Sequence, residues 1–155
     1  MIFSPIAPRV RVRLPGRILA LAVSLGCLAS LMTAAMLVPD PSGVGTHTAL
    51  GLSECSLLHI TGIPCWSCGM TTSWAWLARG NLAASLWVQP MGTLLAILTG
   101  LTFWAGLYIA LTGRAAHHLI RYLPAGYSFQ TLLGLALLGW AWKIFIHLHH
   151  LDGWK

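Results

Sequence analysis

Acidic residues are almost missing from this chain: Asp and Glu number 3 among 155 residues, and charged residues of all kinds make up 8%. A soluble domain carries about 25% charged residues, so no solvated surface of ordinary composition can be built here. With 57% of residues hydrophobic, lipid must cover much of the chain. Catalytic signatures are missing too. There is no GxSxG element, phosphate loop or HExxH pattern, and Asp40 and Glu54 are too isolated for an acid/base pair. No alternation of strands and helices exists to build a thioredoxin domain. A second CxxC or an HxxxH, the usual complement of a zinc-binding CxxC, is also absent.

What is present is basic and apolar. The net charge of +6 does not mark a nucleic-acid partner, because the basic residues sit in segments flanking long uncharged runs, as orientation signals do in membrane proteins. Ile18 to Val38 is the first such run and Met91 to Thr112 the second, and Phe129 to Leu148, whose one charged residue is Lys143, is a third apolar run. Each is close to the roughly 20 residues that a helix needs to cross a hydrocarbon core. The fold class expected is therefore an all-α membrane protein with three transmembrane helices and a short outer interfacial helical segment. Lys143 lies near one end of the third run, where it is expected to snorkel as an interfacial anchor.

Arg9, Arg11, Arg13 and Arg17 precede the first span, and Arg114 and Arg121 follow the second. The positive-inside rule then makes 1–17 and 113–128 cytoplasmic, 39–90 an outer loop and 149–155 an outer tail, all belonging to one membrane domain. The first span is expected to be retained. Its apolar run exceeds the roughly 7 to 15 residues of a signal peptide, although Thr33, Ala34 and Ala35 supply small residues near its end. Small residues four apart, Ala22, Gly26 and Ser30 on the first span and Gly92, Ala96 and Gly100 on the second, are expected to form the helix seams.

Pro39 to Ser53 reads as an irregular loop. Beyond it come Cys55, His59, Cys65 and Cys68, the last two in a CxxCG element, while Cys27 lies mid-span as a small packing residue. Met70 to Arg79 has helical content but is too short to span, and Asn81 is placed to cap a second short helix toward Trp87. Trp66, Trp74, Trp76 and Trp87 suit an interfacial depth. Pro90 suits the start of a helix.

The run TGIPCWSCGMTTSWAWLARGNLAASLWVQP resembles the signature of DUF2752, a bacterial family of small membrane proteins of unknown function. Its pattern is G-[IV]-x-C-P-x-C-G-x-T-R, an R-G-[DN] turn and then N-P before a membrane helix. Thr61, Gly62, Cys65, Cys68, Gly69, Thr71, Arg79, Gly80, Asn81 and Pro90 match it, and Cys55 matches an upstream cysteine. The resemblance implies the bacterial cytoplasmic membrane and carries no activity. Three positions depart from the pattern: Trp66 for proline, Thr72 for arginine and Gln89 for asparagine. Arg79 and Lys143 are candidates to stand in for the arginine.

Three chemistries remain open for the outer thiols. Cys55, His59, Cys65, Cys68, His147 and His150 offer ligands suited to zinc or copper. A disulfide from Cys55 to Cys65 or Cys68 would pin the outer loop, stabilising it by roughly 2 to 3 kcal/mol. Alternatively Cys65 and Cys68, with Cys55 resolving, form a redox dithiol that passes electrons to a quinone. Taken together, the reading expects an accessory or assembly subunit with a disulfide-bonded outer segment, more a partner than an enzyme. Its partners are membrane lipid and another membrane protein or a second copy of itself.

Overall fold

The computed structural model describes residues 11–114 and 125–154, with side chains of the second segment described from Phe129 onward. The orientation readings that rest on Arg9 and Arg121 lie outside the described residues. The chain is an all-α protein with three helices long and apolar enough to cross a membrane. These are α1 (Leu14–Met36), α5 (Pro90–Thr112) and α6 (Ala125–Leu148). Between α1 and α5 lie a 3₁₀ turn at Thr46–Leu50 and three short helices, α2 (Ser56–Thr61), α3 (Met70–Ala78) and α4 (Leu82–Val88).

Local chemistry sets these boundaries. Proline in the first turn starts α1 and α5, where a missing N–H leaves no bond unmade. The Asn81 side chain accepts the Ala84 N–H at 2.9 Å and caps α4. Gly113, in the left-handed region, closes α5 through its N–H to the Ile109 carbonyl.

α1 and α5 run antiparallel. The Arg17 guanidinium donates to the Ala110 carbonyl at 2.9 and 2.7 Å, and Ser24 Oγ donates to the Phe103 carbonyl at 3.1 Å. At Gly106 there is no room for a Cβ, because Ser24 Oγ occupies that position and the Ala20 carbonyl lies 2.9 Å away. The seam of α1 thus follows Arg17, Ala20, Ser24, Cys27, Leu31 and Ala34, which are the less exposed positions at intervals of three and four.

This corrects the expected stripe on the first span. Ala22, Gly26 and Ser30 are exposed, and a Cβ on Gly26 would meet nothing. Ser24 won the seam because its hydroxyl finds a carbonyl across the interface, a contact that glycine and alanine spacing does not encode. On α5, Gly92 and Ala96 are buried, but Gly92 faces Ser73 of α3 rather than α1, and Gly100 has open space beside it.

Among the described residues, the buried positions of α6 fall in its second half. Gly139, Lys143 and Ile146 are buried there, with Gly139 against Met91. Trp140 Nε1 donates to the Pro64 carbonyl at 3.0 Å and Trp142 Nε1 to the Trp87 carbonyl at 2.8 Å. Its first half leaves Phe129, Leu132 and Leu133 exposed. The bundle therefore has two unlike ends. Arg11, Arg17 and Arg114 share one, while α2, α3, α4 and the second half of α6 build a cap on the other.

Lys143 is the second correction. It does not snorkel: its side chain is 0% exposed, and Nζ donates to Asp152 Oδ1 at 2.8 Å and to the Gly43 carbonyl at 3.2 Å. The tail folds back to supply the carboxylate, so Asp152 points at α6, and His147 Nδ1 takes its other oxygen. The segment 39–53 is likewise less irregular than expected, since its 3₁₀ turn buries Thr46 against Thr72, Oγ1 to Oγ1 at 2.7 Å.

If Ser24 and Gly106 define the main seam, Gly106→Val should lower the stability of detergent-purified protein by about 1 to 3 kcal/mol in thermal unfolding through overpacking. Gly26→Val should shift it by less than about 0.5 kcal/mol. Equal effects would place the seam elsewhere.

Candidate functional site: three thiols in the cap

The CxxCG loop is gripped from several sides. Pro64 is buried and its carbonyl holds Trp140 of α6. The Trp66 carbonyl accepts from Nε2 of the buried Gln89 at 3.0 Å. Gly69 has φ +83, and a Cβ there would lie 2.8 Å from the Gly43 carbonyl and 3.2 Å from Lys143 Nζ. Only glycine satisfies both the left-handed backbone and that close approach, which is the physical reason for the G of this CxxCG.

Within the loop, Cys68 N–H donates to the Cys65 carbonyl at 3.1 Å, and Cys65 N–H donates to Cys68 Sγ at 3.2 Å. The two sulfurs are 3.2 Å apart. Cys55 arrives from the start of α2, and the three ligand sulfurs all lie within 4.8 Å of one another. The expected disulfide is not formed: a covalent S–S distance is about 2.05 Å, and all four cysteines are free. The loop is instead held by the hydrogen bonds just described.

The thiols are not equivalent. The backbone N–H of Leu58 beside Cys55, reinforced by the Cys68 and Cys65 thiols, outweighs desolvation and pulls Cys55 down to about 7. Burial, with the neighbouring thiols adding to it, pushes Cys68 well above the ordinary thiol range. One thiolate near neutrality thus stands beside a buried sulfur that stays protonated unless a cation compensates its charge.

Other residues singled out in the sequence are placed as follows. His59 lies outside the ring of sulfurs but lines a cavity of about 240 Å³ shared with Cys55 and Cys68. His147 is taken by Asp152, and the exposed His150 lies beyond the end of α6 with φ 56, so neither joins the thiols. Thr71 lines a separate apolar cavity of about 380 Å³ between α1 and α3, with Ser30, Leu37 and Trp74. Arg79 donates to the Ala75 carbonyl at 3.0 Å, so it closes its own helix and does not approach the thiols. Gly80, at φ +78, turns the chain from α3 into α4.

Among the tryptophans, Trp66 is 68% exposed. Trp87 donates its ring N–H to the Leu151 carbonyl at 2.9 Å and packs edge-on against Trp142 at 5.3 Å, so its polar end is satisfied by the tail. The ring nitrogens of Trp74 and Trp76 are buried without a protein partner among the described residues.

Gly43, Gln89, Trp140 and Asp152 hold the site, and sequence reasoning did not single them out as such. A signal existed for one pair. A lysine inside a span needs an anion, and Asp152 is the nearest acid in the sequence.

Residues 55–103 match the family described as "Protein of unknown function (DUF2752)". That segment carries all three clustered cysteines, the short helices α2, α3 and α4, and the first part of α5. No curated protein and no solved structure matches the chain.

In the reduced, metal-free protein, alkylation by iodoacetamide should therefore start at Cys55, rising with pH through about 7 as its thiolate forms, while Cys68 stays unmodified across the same range. Mass spectrometry of the labelled peptides checks this. Preferential labelling of Cys68 would contradict the assignment.

Proposed function

We propose that this chain, which belongs to the DUF2752 family, is a small multi-pass membrane protein whose three clustered cysteines hold a thiophilic metal ion. The observation that carries this reading is the convergence of Cys55 with Cys65 and Cys68, three sulfurs within 4.8 Å. Thiolates are the soft ligands that suit zinc and cuprous copper. The Cys65 N–H to Cys68 Sγ bond is the kind of outer contact that orients a ligating sulfur. A cation also resolves the situation of Cys68, whose buried thiolate needs a counter-charge.

The positive-inside rule supports an orientation in which the end bearing Arg11, Arg17 and Arg114 is cytoplasmic. The N-terminus is then inside, the C-terminus outside, and the cap faces outward from the bacterial cytoplasmic membrane. The exposed Phe129, Leu132 and Leu133 of α6 support an accessory or assembly role, because they offer apolar surface to lipid, another membrane protein or a second copy.

A second reading has one observation in its favour, the 3.2 Å separation of Cys65 and Cys68. Their oxidation would release two electrons and two protons to an acceptor such as a membrane quinone. Against it, burial pushes Cys68 up, away from the thiolate that exchange requires, and this outweighs its place just before α3, at the positive end of that helix.

Membrane-purified, reduced protein should contain about one zinc or copper per chain by elemental analysis, and Cys55→Ser, Cys65→Ser and Cys68→Ser should each weaken retention roughly tenfold or more. Cys27→Ser, far from the cap in α1, should leave it unchanged. Wild-type protein without metal, or serine variants that retain it, would overturn the proposal.

A further inference from the structure

The sequence has only three carboxylates, and their placement is uneven. Asp152 is consumed by Lys143 and His147. The other two, Asp40 and Glu54, both line the cavity of about 240 Å³ whose wall includes Cys55 and Cys68. His47 and His59 line it as well. A chain with net charge +6 thus gathers its unpaired carboxylates and two imidazoles around one opening beside the thiols.

We infer that this cavity is a vestibule through which Zn²⁺ reaches the thiols, collected by Asp40, Glu54, His47 and His59 and delivered to Cys55. The inference rests on the metal reading above and specifies the ion and its route.

The geometry fits that use. Glu54 and His59 side chains make no hydrogen bond or ion pair among the described residues, so their lone pairs are free for a cation. His47 Nε2 lies 3.1 Å from the Ser53 carbonyl, which can only accept. Nε2 therefore carries the proton, and Nδ1 keeps its lone pair, the arrangement by which an outer hydrogen bond fixes a ligand tautomer. Asp40 Oδ1 is held by the Ser42 N–H at 2.8 Å, which fixes the carboxylate in the loop. His59 lies four residues beyond Cys55, whose carbonyl accepts the His59 N–H at 3.0 Å, so vestibule and thiols are joined by one turn of chain.

Ligand type selects the ion. Carboxylate suits Zn²⁺ and is a poor ligand for cuprous copper, which prefers sulfur, and among the described residues no methionine lines the cavity. Two negative charges also concentrate a dication more strongly than a monocation. Three protein thiolates leave a fourth coordination position open, as in zinc sites that exchange a ligand.

The test is loading kinetics on the full chain, reduced and stripped of metal in detergent, with Zn²⁺ delivered from a chromophoric indicator. In Asp40→Asn/Glu54→Gln the loading rate should fall roughly tenfold and lose its dependence on ionic strength, while the zinc bound at the end equals that of wild type. Cuprous ion delivered from a chelate should load both proteins at the same rate. Zinc loading within about twofold of wild type in the variant would overturn the vestibule and leave the metal site standing. A wild-type chain that takes up no zinc would overturn both.

Discussion

A lysine ammonium enclosed within the cap is the constraint on which the rest of the structure depends. Taking Lys143 wholly out of solvent is costly unless a carboxylate and further acceptors replace the lost water. Asp152 and the Gly43 carbonyl do so, and each reaches it only because a segment far away in sequence is brought to the same point. The tail must turn back at the end of α6, and the loop after α1 must lie across the bundle. Once both are in place, the backbone of residue 69 is pressed against Lys143 Nζ and the Gly43 carbonyl, which leaves space for glycine alone. The cysteine loop is fixed as a consequence of satisfying one charge.

That dependence explains what could be read from the sequence and what could not. The three apolar helices were legible because an apolar run of about twenty residues with at most one charge has few alternatives to a membrane span. Pro90, Asn81, Gly80 and Gly113 act at the helix ends through local chemistry, which a sequence carries directly. The α1 seam was not legible, because spacing of small residues does not reveal that the Ser24 hydroxyl finds the Phe103 carbonyl. The fate of Lys143 was hidden for a related reason. The return of Asp152 depends on His150 adopting the left-handed region, with Leu151 N–H bonding back to the Ile146 carbonyl at 2.8 Å. Glycine usually marks such a helix end, and here a histidine fills the position.

The sequence placed Cys55 with the CxxCG thiols as a candidate site, but not the path by which it reaches them. Cys55 is ten residues upstream of Cys65, and its arrival relies on α2, a one-and-a-half-turn helix too short to leave a periodic signature. Once assembled, the trio combines opposite tendencies: a thiol that ionises readily at the edge of a cavity and a neighbour that resists ionisation in the interior. On the proposed metal reading, such a set would take a cation first at the available thiolate of Cys55. The free carboxylates gather beside that edge, while the third is committed to the structural ammonium.

Zinc K-edge X-ray absorption on the zinc-loaded chain addresses the central claim most directly. Three sulfur scatterers at about 2.3 Å, falling to two when Cys55 is replaced by serine, are what a cluster built from both sides of the cap requires. A first shell of nitrogen and oxygen alone, or one unaltered by that replacement, would contradict it.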